Sequence, residues 1–414
     1  MFRELMTFDH AKKLLFDTLN PQPLGIEKIP LIKAYNRILS ENIITKLDIP
    51  PFNRSTVDGY AVKADDTYES DEKKPTALKI IGTINVGESP KIQIRKNKTV
   101  ETVTGAPIPE GANAVVMVEN TQKQGDTLLI YRAVTPDENV MKKGADLKKG
   151  DTVLIAGQLL GAPEIGVLAA IGVNYVNVFK TPLVSVFSTG AEITEPGKSL
   201  APGKIYDINA YSLSTAVKES GGKPICMGVI PDNEAALKNA LKQALSSSDI
   251  IITSGGVSVG PRDYTPKIVD SLGKPGVIIS GIAVKPGKPT TIAFIGNKPV
   301  FSLPGHPTSA LLIFYLLVRP VIQCLSGHKV ISEKTVKANL AVRLFSAKGR
   351  KTFVMVRLSR DKSQKIVATP VQTGGSGAIT TLSKADGFIE IPENQQFIDS
   401  NEQVTVTLLK NKKV

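Results

Sequence analysis

Thiols, imidazoles and aromatic rings are scarce in this 414-residue sequence, which has two cysteines, three histidines and only 5% aromatic residues. Cys226 and Cys324 both sit inside apolar stretches, too few for a disulfide scaffold or a thiolate metal site. His10, His306 and His328 are scattered along the chain rather than clustered. With so few rings for stacking and no recognisable binding module, nucleic acid is set aside as a partner. No apolar run of about 18 residues reads as a membrane span, and the start, MFRELMTFDHAKKLLF, is amphipathic rather than signal-like. A cytoplasmic protein with no membrane partner is the expectation.

What is abundant is positive charge. The 51 Lys plus Arg exceed the 38 Asp plus Glu, for a net +13, and a basic surface attracts nucleic acid, anionic lipid or small anions. The segment 331–414 carries 14 Lys plus Arg against 7 Asp plus Glu, so about half of the excess lies in the last fifth of the chain. That asymmetry fits an anion-handling domain, and it equally fits a lysine-rich solvated face.

At 42% hydrophobic residues the chain can form two to four domains with separate cores. Residues 5–20 read as a helix with Leu5, Ala11, Leu14, Leu15 and Leu19 on one face. From about 76 to 135, short runs such as ALKIIGTI, NAVVMVENT and TLLIYRAV between Gly, Pro and Asn turns predict a small β domain. The stretches PEIGVLAAIG and NYVNVFK lead out of it. A different alternation fills 181–326: LVSVFST, PICMGVI and DIIITS read as strands, with AYSLSTAVKES and EAALKNALKQAL as helices between them. Asp207 or Asn209 can cap the first helix, Gly221-Gly222 stops it, and Asp232 is the expected cap of the second. Such alternation implies a parallel sheet covered on both faces, with ligands at the carboxyl ends of its strands. A hairpin at Gly296-Asn297 and the apolar helix TSALLIFYLLVRPVIQCL complete it. The expected division is a helical linker over 1–50 and 140–180, an inserted β domain over 51–139, an α/β domain over 181–326 and a C-terminal β barrel over 331–414.

Several segments carry chemistry. TSGGVSVGPRDY at 253–264 follows a buried-type strand, and Gly255, Gly256 and Gly260 let backbone N–H groups approach an anion beside a helix start. A plain tight turn would use the same glycines, and Asp263 is also a good helix cap. LPGHPTS at 303–309 is a second strand-to-helix turn, and KPGKP at 285–289 lies between the two. If these turns share one strand edge, Lys285 and Lys288 face one crevice on a loop stiffened by proline, an arrangement suited to holding an oxyanion. In the amino-terminal half, PPFNRSTVDGYAV at 50–62 and TGAPIPEGANAVVMVE at 104–119 are Gly/Pro turns whose periodicity alone assigns no ligand.

The order of these segments carries a resemblance. STGxEI at 188–193, YDIN at 206–209, SGGVSVGxxDY at 254–264, KPGKP at 285–289 and LPGxPxS at 303–309, with PFxxSxxDGYAV at 51–62 and TGAPxP at 104–109, resemble the molybdopterin molybdenumtransferase family. The parallel-sheet domain alone is also similar to domains of molybdopterin adenylyltransferases and nicotinamide-nucleotide amidases. The family resemblance implies a homodimer with its site between protomers. It also implies a reaction in which adenylyl-molybdopterin and molybdate give charged cofactor and AMP, with a divalent ion such as magnesium.

Carried onto matching positions, Gly255, Gly256 and Ser258 line the pterin or nucleotide phosphates, together with Ser188, Gly190, Asp207, Pro304, Pro307 and Ser309. Asp263 handles the metal or the attacking water, and Asp58, Thr104, Asp146, Glu192 and Asp232 are the further catalytic polar groups around the cleft. Lys285 and Lys288 hold molybdate, with Arg350 in GRKTF and Ser376 in GGSG as further oxyanion contacts. Asn53, Ala191 and His306 depart from the family's usual residues. A tungstate-inserting relative and a gephyrin-like scaffold are the alternatives that the resemblance carries, and a molybdopterin adenylyltransferase is an implied partner.

Overall fold

The computed structural model describes residues 5–256, 265–328, 334–371 and 380–409. Three six-stranded sheets organise the chain. In the α/β part the strands stand in the order Lys223–Ile230, Leu183–Thr189, Ile250–Ser254, Lys298–Leu303, Thr291–Ile295, Pro275–Ser280. The expected parallel sheet is in fact mixed: Thr291–Ile295 runs against both its neighbours, and the other five strands run one way. The reversal comes from the two-residue turn Gly296-Asn297, where Gly296 has φ +60°, a conformation glycine adopts without strain. Strand order reverses its direction of winding between Leu183–Thr189 and Ile250–Ser254. That point is where open α/β sheets bind ligands.

Apolar strands are buried on both faces because helices cover both. On one side Val184, Val186, Ile250 and Ile252 pack with Leu213 of Asn209–Glu219 and with the helix starting at Pro307. On the other, Phe187 and Ile251 meet Leu237 and Leu241 of Glu234–Ser247 and Ile268 of Thr265–Leu272. The cap of Glu234–Ser247 is Asn233 rather than Asp232: its side chain accepts from Ala236 N at 2.9 Å. Either residue type caps well; the helix begins at Glu234 as the sequence indicates, and the cap is the residue immediately before it.

Residues Pro307–Leu325 form a helical run long and apolar enough to cross a membrane by length and composition, with 72% of its most apolar window buried in the fold. This corrects the expectation that no such run exists. Phe314, Leu317, Val318 and Val321 lie in the main core, where their apolar surface is already covered by protein.

The carboxyl-terminal sheet closes on itself. Thr335–Leu340, Gln403–Leu408, Gly387–Ile391, Lys351–Arg360 and Ile366–Pro370 each pair with the next, and Ile366–Pro370 returns to Thr335–Leu340. The five-stranded barrel has no free edge inside its ring. Its junction with the α/β part is apolar: Phe353 and Phe388 join the main core along with Phe8, Ala11 and Leu15 of the first helix, Phe8–Leu19. The rings of Phe8 and Phe353 meet edge-on at 5.5 Å, and those of Phe353 and Phe388 at 5.7 Å, a favoured aromatic geometry.

Between the first helix and the α/β part, Ile26–Pro30 pairs with Tyr175–Phe179 and Ile43–Ile44 with Thr152–Leu154. With the helix Ala162–Ala170 they enclose a core that includes Leu39, Leu160, Leu168 and Val178. The third large sheet is a half-barrel ordered Ala114–Met117, Gly59–Val62, Lys98–Thr102, Thr76–Ile84, Thr127–Ile130, Thr121–Gln124.

Gly59 marks its closest backbone approach. A Cβ there would stand 1.9 Å from the Val116 carbonyl oxygen, and backbone cannot move aside as a side chain can. Gly59→Ala is therefore expected to lower stability by on the order of 3 kcal/mol, the upper range for overpacking a filled interior. Urea unfolding measures it, and amide exchange should localise the loss to residues 59–62 and 114–117.

Candidate functional site

At the carboxyl ends of the central strands, polar side chains replace the apolar ones beneath them. Register puts Ser188 beside Ser254, and Ser254 beside Leu303. Ser188 Oγ donates to Asp207 Oδ1 at 2.8 Å, and the same oxygen accepts from Ala210 N at 3.1 Å. Asp207 thus caps the helix Asn209–Glu219 while orienting the strand-end serine. Asn209 Nδ2 donates to Ser254 Oγ and to the Gly305 carbonyl, both at 2.7 Å, and Ser254 Oγ reaches the Pro304 carbonyl at 3.3 Å. One asparagine therefore ties the start of Asn209–Glu219 to both glycine-bearing turns.

Gly255 permits this closeness. Its φ is +89°, and a Cβ would lie 2.1 Å from the Thr189 carbonyl oxygen, so only glycine fits. Gly256 follows at φ +67°. Asp207 Oδ2, Asn209 Oδ1 and the hydroxyls of Thr189 and Thr253 are buried with no hydrogen-bond partner among the described residues. Each such group costs about 1–3 kcal/mol, so the edge gives up stability for polar density, as ligand sites do.

KPGKP reaches the same edge. It connects the end of Pro275–Ser280 to the start of Thr291–Ile295, and Ser280 pairs with Thr291, which pairs with Ser302. Because Thr291–Ile295 runs backwards, its first residue lies level with the last residues of the parallel strands. Lys285 is exposed and Lys288 half-buried. Gly287, at φ +112°, brings the loop against Ile313, whose Cδ1 a Cβ would approach to 2.5 Å.

Arg350 comes to the neighbourhood from the barrel: Val284 and Lys285 pair with Lys351 and Thr352, so Arg350 is half-buried at the head of the strand beside the lysine loop. Pro307 opens the helix at this edge, and Ser309 is buried in its first turn. His306 precedes that helix and makes no side-chain cap.

Glu192 and Gly190 sit together just past the first strand, where a Cβ on Gly190 would meet Glu192 Oε2 at 2.8 Å. Asp232 is exposed at the end of the neighbouring strand. Ser258, Asp263 and Ser376 lie outside the described residues, as does most of the glycine-rich turn after Gly256. Among the described residues, no three of His, Cys, Asp or Glu gather as a metal site.

Asp58, Thr104 and Asp146 belong elsewhere in the chain. Asp58 Oδ1 accepts from Thr104 N at 2.7 Å and Thr104 Oγ1 at 2.9 Å, joining the DGYAV and TGAPIP turns. The Thr104 backbone N–H, then its hydroxyl, holds the Asp58 carboxyl below the usual carboxylate range. Asp146 is exposed, with its N–H donating to the Ile49 carbonyl at 2.9 Å. Near them a cavity of about 480 Å³ is lined by Pro51, Phe52, Asn53, Glu88, Pro107 and Lys143, among others. The half-barrel cores share no residue with those of the α/β part. The chain thus carries polar groups on two parts with separate cores, the strand edge and the half-barrel turns.

Two contributors were not singled out as ligand-site residues from sequence. Asn209 read only as a helix cap, although its place in YDIN beside Asp207 was a usable signal. Lys351 had none, since its ionic partners are distant in the chain.

Residues 6–172 match the MoeA N-terminal region (domain I and II), 185–324 the probable molybdopterin binding domain, and 337–409 the MoeA C-terminal region (domain IV). The molybdopterin molybdenumtransferase of Haemophilus influenzae is 34% identical, over 97% of this chain and 98% of that one. The enzyme of that name from Nostoc sp. is also 34% identical, over 92% and 88%. A crystal structure of a MoeA molybdopterin biosynthesis protein from Pyrococcus horikoshii superposes with a TM-score of 0.84 at 40% identity, covering 99% of this chain and 100% of that one. A second, at 32% identity, gives 0.79 over 98% and 100%. On whole-length similarity to these relatives and on the ordered match of all three regions, the chain belongs to the molybdopterin molybdenumtransferase family.

Proposed function

We propose that this chain is a molybdopterin molybdenumtransferase, which inserts molybdate into adenylyl-molybdopterin with release of AMP. The observation that carries the reading is the meeting of the Gly255-Gly256 turn and the KPGKP loop at one strand edge. A glycine turn at the end of a strand lets the backbone come close to phosphate oxygens. Two lysines on a short loop suit a dianion that must approach those phosphates. Arg350 and Ser376 are assigned to the same oxyanion, and Ser188, Asp207, Pro304, Pro307 and Ser309 to the frame that holds the pterin side.

Asp263 is assigned to a magnesium ion or to the attacking water. Magnesium typically takes one or two carboxylates and completes its shell with substrate phosphates and water, so a single carboxylate fits such a site. When bound, the ion would supply charge neutralisation at the anhydride. The chain's own groups would orient the anhydride.

A homodimer is part of the reading. Asp58 and Thr104 stand on a surface separate from the strand edge, and Ile32, Ile155, Ile44 and Tyr175, at 86, 58, 56 and 53% exposure, leave apolar area on the part between them. A second copy covers that area and brings one protomer's half-barrel turns, with Asp146, to the other's strand edge near Glu192 and Asp232. The location is proposed as cytoplasmic, with a molybdopterin adenylyltransferase supplying the substrate.

Three outcomes are expected. In light scattering at micromolar concentration the active protein has twice the chain mass, and full activity in a monomer would remove the shared site. Lys285→Ala and Lys288→Ala each raise the KM for molybdate by about tenfold or more while adenylylated pterin still binds; wild-type turnover of both variants at micromolar molybdate would end the oxyanion assignment. Asp263→Asn keeps the capping oxygen and removes the charge, and AMP release with saturating magnesium and molybdate should slow by roughly a hundredfold or more. A rate within about threefold of the parent makes Asp263 a helix cap only.

A further inference from the structure

The backbone that delivers Lys285 is gripped from two sides before the loop begins. Met6 bridges to Ile282, and its carbonyl accepts from Ala283 N at 2.7 Å. On the other flank Val284 pairs with Lys351, whose N–H donates to the Ala283 carbonyl at 3.0 Å. The side chain of Lys351 is buried, at 9% exposure, where its ammonium meets Asp9 at 2.9 Å and Glu390 at 2.8 Å. It also stands 5.3 Å from the centre of the Phe8 ring. Asp9 lies in the first turn of the first helix, and Glu390 in a barrel strand. A single cation thus joins the chain's beginning and its end around the strand that leads into KPGKP.

Ion pairs whose carboxylates are solvent-exposed add little net stability, and the best-supported use of burying one charged partner is to select one geometry. Here the selected geometry is the seating of residues 282–285 between the first helix and the barrel. Burial alone would lower the Lys351 pKa, yet the bonds to Glu390 and Asp9 outweigh it and raise the value, so the cation persists throughout the neutral range.

We propose that Lys351, through Asp9 and Glu390, is a positioning residue that sets where Lys285 presents its ammonium to molybdate. The inference rests on the assignment of Lys285 and Lys288 to the oxyanion. Lys351 itself is committed to two carboxylates and does not touch the ligand. It acts through the backbone it shares with the loop.

Lys351→Met tests this, since methionine fills a similar apolar volume. Asp9 and Glu390 are 70% and 46% exposed and can hydrate once the cation is gone. Misplacing a binding group by about 1 Å costs up to a hundredfold, so a rise of about tenfold in the KM and Kd for molybdate is expected, with kcat within about twofold. Amide exchange over 282–290 should quicken, and Lys351→Arg should recover most of the affinity. A role in stability alone would leave molybdate affinity unchanged in the folded variant.

A Lys351→Met variant with molybdate affinity within about twofold of the parent, while Lys285→Ala loses it, overturns the positioning claim and leaves the oxyanion assignment standing. If Lys285→Ala binds molybdate like the parent, the assignment falls and takes the positioning claim with it. Should Lys351→Met fail to fold, Asp9→Asn removes one exposed charge instead. An unchanged molybdate affinity there overturns the proposal, and a rise of roughly threefold with an unaltered unfolding midpoint supports it.

Discussion

Charge repulsion is the constraint on which the site's construction depends. Molybdate is a dianion that must come against a dithiolene and a phosphoanhydride, and even two unit charges 4 Å apart repel by about 4 kcal/mol at an effective dielectric of 20. Freely moving surface lysines would offset part of this only at an entropic cost. In the proposed reading the fold instead offers a glycine turn that lets backbone approach the phosphates and two lysines on a short loop held at both ends. Preorganised charge of this kind requires no rearrangement when the reaction occurs. The excess of cations over the whole chain favours the arrival of anions, and the proposed reading has the short loops set where they stop.

Topology brings these pieces together. Had every strand run one way, the loop after Pro275–Ser280 would have crossed to the far side of the sheet before the next strand began. The antiparallel Thr291–Ile295 keeps KPGKP at the edge where Ser254 and Leu303 end. Asn209 then closes the arrangement by bonding to Ser254 and Gly305 at once. Removing that amide would take away the Gly305 carbonyl's side-chain donor in a region that already holds several buried polar atoms without partners among the described residues. The barrel contributes through the same seam, because its strand at Lys351 extends the loop's own short strand.

Much of this was legible in the order of residues. Alternating LVSVFST, PICMGVI and DIIITS with amphipathic helices is a local signal, and the motifs from PFxxSxxDGYAV to LPGxPxS name the family. What local pattern could not convey is how distant pieces meet. Lys351 and Asp9 are 342 positions apart, and neither residue alone differs from a solvated surface charge. Phe8–Leu19 shares its core with Phe353 and Phe388, a placement that no periodicity in the first twenty residues can indicate. The choice between Asp232 and Asn233 as cap is a difference of one residue, below the precision of capping rules. Pro307–Leu325 shows the converse: the sequence marks it as strongly apolar apart from Arg319 and Gln323, and the surrounding sheet and helices identify it as a core helix.

The central claim is that one strand edge couples the loss of AMP to the capture of an oxyanion. Its most direct test is a single turnover on purified protein loaded with adenylyl-molybdopterin, following AMP by chromatography and protein-bound molybdenum by mass spectrometry as molybdate is added. Coupling predicts one AMP released for each molybdenum retained, with both saturating at the same molybdate concentration. AMP release that proceeds without retained molybdenum, or molybdenum retention without AMP release, would contradict it.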